Sequence, residues 1–413
     1  MSQPALIAGG GIGGLAAALC VARAGYEVRL FERAPAFSEV GAGIQLGPNA
    51  TRLLQAWGLG EGLVQLAAFP ELLTVRNAPD GVELGRLRLG RACLDRYGAP
   101  YATLHRSDLH ALLLQGVAKT GAVQLSLDSS VAGYTESTGG IILKTATGQD
   151  VRDVRDVRDV RDVQGDILIG ADGLWSRIRQ QFLANTFANN GQQPAQPTGH
   201  LAYRALVPQL SLPGKLRSQQ VTVWLGSWLH VVSYPVRGGD WLNMVVIVHG
   251  RPPGDVQDWD QKGAAFDVHN ALAGTCPELQ ELVQAVEGWR LWVLCDSPLL
   301  RKPEQMAGGR IALLGDAAHA MRPYLAQGAG MALEDAAELG RCLDLKNIPR
   351  LDAPSALRRY ALNRWQRSAR VQARALRNGR IFHATGPVRW GRNLALRLLG
   401  ERLLDVPWLY KGT

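Results

Sequence analysis

The sequence predicts an α/β protein: a discontinuous domain on a parallel sheet, an inserted and mostly antiparallel sheet domain, and a C-terminal helical tail. Three observations predict it. Short apolar strand segments alternate with helix-length apolar segments near the N-terminus. From about 186 to 294 the composition shifts to Trp and Val in alternation, punctuated by Pro and Gly. Beyond 355 Arg and Leu recur at helical spacing.

In order along the chain, Ala5-Leu6-Ile7-Ala8 reads as a buried strand, Gly9 to Gly14 as a turn, Leu15 to Ala24 as a helix stopped by Gly25, and Glu27 to Phe31 as the next strand. Arg106-Ser107-Asp108 leads into an apolar helix from Leu109 to Ala118, with Ser107 as its expected N-cap. Asp166 to Gly170 and Arg310 to Gly315 are two further buried strands. The parallel-sheet domain is therefore assigned to 1–73, 101–185 and 295–354, the inserted domain to 74–100 and 186–294, and the tail to 355–413. From Val151 to Val163 the triplet Val-Arg-Asp recurs four times before a final Val. A period of three suits neither strand nor helix faces, so a lengthened surface hairpin or loop is expected there.

At 413 residues, 46% hydrophobic and 20% charged, the chain has the profile of a globular enzyme large enough for two domains. Its formal charge is +9, but no Lys/Arg run is interleaved with aromatics, so nucleic acid is not an expected partner. The positive field suits the steering of small anions. Five cysteines, without a Cys-x-x-Cys pair, read as isolated buried thiols in a reducing cytoplasm, and no His/Cys spacing suggests a metal. Five glycines break the apolar stretch from Ala5 to Ala24, which excludes a membrane span or signal peptide.

Three motifs carry the chemistry. Gly9-x-Gly11-x-x-Gly14 stands between the first strand and helix, and Glu32 closes the second strand eighteen residues later. Gly9 permits the tight turn, Gly11 the approach of a pyrophosphate, and Gly14 close packing of helix on strand, while the helix N-terminus favours the phosphates. Glu32 stands where an acid holds ribose hydroxyls, with Arg33 beside it. These features make the domain Rossmann-like, without distinguishing FAD from NAD. The second motif, Gly165-Asp166 through Gly170-Ala171-Asp172-Gly173 to Ser176 and Arg179, ends a strand in an acidic turn, which ordinary turn chemistry explains equally well. In the third, Gly315-Asp316 ends a buried strand, a Pro- and Gly-rich loop follows, and a helix starts near Gln327 that can hold an anion such as a reduced flavin ring.

Together the three motifs resemble those of the class A flavoprotein monooxygenases. Gly41-Ala42-Gly43-Ile44-Gln45-Leu46 is similar to that family's loop along the isoalloxazine, Arg106 to an arginine near the flavin, and Trp408-Leu409-Tyr410 to the salicylate and 3-hydroxybenzoate hydroxylase branch. The resemblance implies FAD, with Gly9, Gly11 and Gly14 at the pyrophosphate, Glu32 and Arg33 at the adenosine side, and Gly43, Ile44 and Arg106 along the flavin. It places Asp316 at the ribityl chain or pyrophosphate, Gly328 and Ala329 at the pyrimidine end, Pro323 beside the ring where oxygen reacts, and Asp172 in a motif serving FAD and the pyridine nucleotide. NADH or NADPH is the implied transient co-substrate, O2 the oxidant and a flavin C4a-hydroperoxide the hydroxylating species. A cytoplasmic location and a monomer or homodimer are expected. Gly330 departs from the larger residue of many relatives.

On the substrate side, Trp228 to Pro235 reads as a strand, and residues four apart on a strand share a face, so His230 and Tyr234 are expected in one cavity. A phenolate is a better nucleophile than a phenol toward an electrophilic peroxide, and a histidine titrating near neutral pH can accept or relay the proton. His319 is a rival base, its closeness to Asp316 suggesting loop packing instead. Arg237 reads as an exposed turn residue that could pair with a substrate carboxylate, and Tyr203-Arg204 as a strand start that could line the cavity. The expected substrate is a small hydroxylated aromatic acid of salicylate or hydroxybenzoate type. An epoxidase, a heterocycle hydroxylase and a non-catalytic flavin-binding redox sensor remain alternatives. A flavin halogenase is disfavoured because no Trp-x-Trp-x-Ile-Pro run is present.

Overall fold

The computed structural model describes residues 3–37, 42–137, 139–147, 160–187, 194–258, 261–344 and 352–412. The first strand, Ala5–Ala8, is buried along its whole length because parallel neighbours flank it on both sides, Val28–Phe31 and Ile167–Gly170. A strand covered on both faces needs no polar alternation, which is why these segments read as continuous apolar runs. Val123–Ser126 and Ile311–Leu313 extend the parallel set outward, and Ala307–Gly308 pairs antiparallel at one edge, giving six strands.

The helix Ile12–Arg23 lies close to the helix Gly328–Cys342; a Cβ on Gly340 would come within 2.8 Å of the Cys20 Cβ. Both helices begin at the parallel sheet's C-terminal side, where the loops after Ala8, Gly170 and Leu313 converge. The helix Arg106–Ala118 starts three residues before the reading from sequence, and His105 rather than Ser107 takes the N-cap position, without a side-chain cap bond. The Ser107 hydroxyl instead meets the His105 ring at 2.5 Å.

The second large sheet has eight strands, in the order Gln261–Gly263, Trp289–Asp296, Gln196–Pro208, Trp241–His249, Leu229–Val236, Val221–Leu225, Leu72–Asn77, Glu83–Arg88. All pairs are antiparallel except Val221–Leu225 with Leu72–Asn77. Its alternation sorts side chains cleanly. Leu201, Tyr203, Met244, Val246 and Val248 pack into a core with Leu279 and Val283 of the covering helix Pro277–Gln284. Ala202, Val245, Ile247, Trp292 and Leu294 face the other way, with Ala42 and Tyr324.

A three-stranded antiparallel sheet, Ser129–Ser137, Gly140–Thr147 and Val160–Gly165, precedes the strand Ile167–Gly170. The last Val-Arg-Asp triplet thus lies in a hairpin strand; residues 151–159 lie outside the described residues. The tail opens with the helix Ala353–Phe382, capped by the Asp352 carboxylate, which accepts the Ser355 N–H at 2.9 Å. Arg364 on this helix is fully buried and donates to Glu334 and Asp335, both at 2.8 Å, while Arg367 also donates to Glu334. Burial alone would raise both carboxyls, but their partners outweigh it: Arg367 and Arg364 lower Glu334, and His319 followed by Arg364 lowers Asp335. This network fixes Gly328–Cys342 in place. The next tail helix, Gly386–Leu399, buries little beyond Arg392 and Leu396 and leaves Trp390 and Leu398 exposed. Among the described residues, no helix is long and apolar enough to cross a membrane, and all five cysteines are free and buried.

Candidate active site

A cavity of about 320 Å³ lies between the two large sheets. One side is formed by Gly11, Ile12, Gly315, Asp316, Gly328 and Ala329, the other by Arg204, His230, Tyr234, Ile247 and Trp292. Gly43, Ile44, Arg106 and Pro323 also line it. Of the residues singled out from sequence, Gly9, Gly14, Glu32, Arg33 and Asp172 do not.

The glycine fingerprint behaves as its spacing demands. Gly14 is compulsory because a Cβ there would sit 1.9 Å from the Gly9 carbonyl oxygen. Gly11, by contrast, has nothing within 4 Å of an added Cβ, and the same holds for Gly328. Each opens or precedes a helix whose N-cap position lacks a side-chain cap bond: Gly11 caps Ile12–Arg23 and Gln327 caps Gly328–Cys342. Two helix N-termini with uncapped N–H groups thus open toward one cavity, an arrangement that suits phosphate and an anionic ring. Asp316 is exposed beside them. Glu32 stands at the fingerprint, where its carboxylate accepts the Gly10 N–H at 2.7 Å and the Ala34 N–H at 2.9 Å, and Arg33 is exposed next to it. These residues fit a dinucleotide.

Asp172 caps the helix Arg177–Phe187 instead of reaching the cavity. Its carboxylate accepts the N–H groups of Arg177 and Ile178 at 2.8 and 3.2 Å, and the Ser176 hydroxyl. Burial raises its pKa against these bonds. Its neighbours Ala171 and Gly173 do line the cavity.

The large sheet supplies the other wall through its register. Arg204 pairs with Val245, which pairs with Val232; His230 pairs with Ile247 and Tyr234 with Asn243. One face therefore carries Arg204, His230 and Tyr234, with Arg204 two strands away, roughly 10 Å at ordinary strand spacing. Tyr203, one residue earlier, points into the opposite core. The Arg204 guanidinium lies 3.8 Å from the Trp292 ring centroid, and no carboxylate pairs with it among the described residues. Burial lowers its pKa to about 10, Tyr234 opposing and Arg106 reinforcing the shift. Burial pushes the Tyr234 phenol up, against Arg204 and Gln45, so it stays protonated and can donate.

His230 is buried, and its Nδ1 lies 2.7 Å from His383 Nε2. Burial, then His200, hold its pKa down to about 3. The near-neutral titration expected from sequence is therefore corrected: enclosure of the ring keeps it neutral at pH 7. His319 is also not at the cavity. It is buried against Asp335 at 2.5 Å, not against Asp316. Arg237 sits in a turn and pairs with Asp108 at 3.5 Å, away from the cavity.

Sequence reasoning missed several residues here. Asn243 accepts the Gly43 N–H at 2.7 Å, tying the loop strand Gly43–Leu46 to the large sheet; a Cβ on Gly43 would meet Asn243 at 2.6 Å and Tyr234 at 2.7 Å. His200, His249 and His383 gather beside His230. His200 and His249 are a cross-strand pair, but His383 comes from the tail, where helical periodicity carries no hint of it.

The family model described as "FAD binding domain" matches residues 2–375. The chain belongs to this family. It is an FAD-dependent monooxygenase. The 3-hydroxybenzoate 6-hydroxylase of Polaromonas naphthalenivorans (strain CJ2) is 38% identical over 411 residues, 98% of this chain and 95% of that protein. That of Klebsiella oxytoca is 37% identical over 410 residues, 98% of this chain and 96% of that protein. A solved salicylate hydroxylase substrate complex superposes with a TM-score of 0.79 at 26% identity, covering 100% of this chain and 96% of that one.

Proposed function

We propose that this monooxygenase hydroxylates a small aromatic acid carrying a ring hydroxyl, with 3-hydroxybenzoate as the first substrate to test. The observation that carries the reading is Arg204, a guanidinium stacked on Trp292 with no carboxylate partner among the described residues, on the same cavity wall as His230 and Tyr234. A cation held at that desolvation cost calls for an anion. A benzoate carboxylate answers it, with Arg106 as a second positive charge at the same cavity. The phenol oxygen then falls to His230 and Tyr234, about two strand spacings away.

Bound FAD, reduced by NAD(P)H, would supply the electrons that activate O2. The chain's own residues bind, orient and hold the phenol hydroxyl. Gly9, Gly11 and Gly14 accommodate the pyrophosphate, Glu32 with Arg33 the adenosine ribose side, and Asp316 the ribityl or pyrophosphate oxygens. Gly43, Ile44, Gly328 and Ala329 would hold the ring, and Pro323 lines the same cavity. Asp172 serves indirectly, by fixing the turn that presents Ala171 and Gly173. His230, neutral and fixed through Nδ1, accepts the hydrogen bond of the phenol hydroxyl as the ring becomes nucleophilic, and Tyr234 donates to the same oxygen. The sheet face of Ala202, Val245 and Ile247 keeps the cavity apolar and excludes water.

The test is turnover of FAD-loaded protein with NAD(P)H and either 3-hydroxybenzoate or salicylate. Substrate-stimulated NAD(P)H oxidation should yield a product heavier by one oxygen. Arg204→Gln should keep its FAD and raise KM by about ten- to a hundredfold, the loss of one charge-assisted bond of about 1.5–3 kcal/mol. An unchanged KM in that variant would remove the assignment of the carboxylate.

A further inference from the structure

The geometry points to a transition-metal site, of the zinc and cobalt class, formed by His200, His249 and His383 at the edge of the active-site wall. His200 lies on the strand Gln196–Pro208, His249 ends the strand Trp241–His249 directly opposite it, and His383 is the C-cap of the helix Ala353–Phe382. Each ring offers one nitrogen, and the three nitrogens lie within 4.8 Å of one another. Their ring centroids are 4.2, 5.0 and 5.0 Å apart. Three imidazoles on a tetrahedral ion with a metal–nitrogen bond of about 2.0–2.1 Å place their centroids roughly 5 Å apart. Small ring rotations therefore close the set around one ion. His249 Nε2 and His383 Nδ1, at 2.9 Å, need only separate by a few tenths of an ångström.

The surroundings fit a metal. His200 Nδ1 meets the Tyr324 hydroxyl, and His383 Nε2 meets His230 Nδ1 at 2.7 Å, so two rings are held from behind through their second nitrogen. His249 is exposed, which opens a path for the ion and a position for a water ligand. All three rings are neutral at pH 7: burial lowers His200 to about 4 and His383 to about 2, and lowers His249 as well. Neutral imidazoles keep their lone pairs for coordination. An all-nitrogen set selects Zn²⁺, Co²⁺, Ni²⁺ or Cu²⁺ over Mg²⁺ and Ca²⁺, which require oxygen. Two nearby guanidiniums act against a cation: Arg322, paired with Asp296 at 2.7 Å, and Arg392, bonded to the carbonyls of Ile381 and Phe382.

Occupancy would act on the active site. A metal on His383 Nδ1 leaves that ring's proton on Nε2, donated to His230 Nδ1. Neutral His230 then carries its own proton on Nε2 and has no lone pair left there to accept the hydrogen bond of a phenol. Bound Zn²⁺ thus inhibits hydroxylation, a consequence that rests on the role of His230 given above.

Binding and turnover are measured separately. FAD-loaded protein stripped with EDTA is dialysed against ZnCl2 and analysed for retained zinc; CoCl2 is added in parallel to read the visible absorption of tetrahedral Co²⁺ beyond the flavin bands. Wild type should retain one zinc per chain. His249→Gln, at an exposed position, should lose at least tenfold in affinity with FAD content and Tm preserved, and His249→Cys, which restores a ligand, should recover it. Zinc retention equal in wild type and His249→Gln, or none in wild type, overturns the site whatever turnover does. Zinc bound through His249 without inhibition upholds the site and instead overturns the role of His230.

Discussion

Lowering the pH from 7.5 to 5.0 should destabilise this protein through three buried histidines. His200, His230 and His383 are each 6% exposed or less, with pKa values pushed down to about 4, 3 and 2, chiefly by burial. In the unfolded chain each titrates near 6.5 and takes up a proton over this interval, whereas in the folded chain none does. The unfolded state binds more protons, so stability is present above pH 6.5 and is lost as pH falls toward the folded values. At pH 5.0 each histidine costs about 2 kcal/mol, or about 6 kcal/mol for the three. With an unfolding entropy of about 2.1 cal/mol/K per residue, the 413-residue chain should lose about 7 °C in Tm. Carboxylates do not confound the interval. Glu334 and Asp335 are shifted below their ordinary values and titrate at lower pH, while Asp172, shifted up, acts in the opposite direction. The assay is thermal unfolding at saturating FAD and fixed ionic strength, for wild type and His383→Gln, which should lose about a third of the pH dependence. A Tm that moves by less than about 2 °C between pH 7.5 and 5.0 would refute the reasoning, because the three rings would then be charged in the folded state.

Other perturbations test separate parts of the structure. Gly14→Ala pushes a Cβ to 1.9 Å from the Gly9 carbonyl, so the first helix must shift off its strand and FAD retention after purification should collapse. His230→Asn should slow hydroxylation by about tenfold, the loss of one hydrogen bond of about 0.5–1.5 kcal/mol, while FAD loading stays near wild type; equal turnover in the two proteins would remove its role as acceptor of the phenol hydrogen bond. Arg364→Met leaves Glu334 and Asp335 buried with fewer partners and should cost about 3–5 kcal/mol, read as an unfolding midpoint. Because that network holds the helix Gly328–Cys342, FAD affinity should fall with it. Asp316→Ala, at an exposed position, should weaken FAD binding without lowering the Tm of the FAD-free protein.

Local sequence determined what depends on neighbours along the chain. The buried strands and the helix starts at Gly11 and Gln327 follow from apolar runs bounded by glycine, because a parallel strand or a phosphate-facing turn leaves a short-range mark. Alternation along Leu229–Val236 likewise placed His230 and Tyr234 on one wall. Tertiary structure decided what those side chains meet. Only strand register sets Arg204 against Trp292 and apart from Tyr203, and only the docked tail brings His383 to His230 and Arg364 to Glu334. Asp172 faces a helix end, and His319 faces Asp335, because of contacts made in three dimensions. Enclosure by distant segments removes water from the histidines and drags their pKa values far below neutral. Desolvation is a property of the assembled volume, and no residue carries it in its own letter.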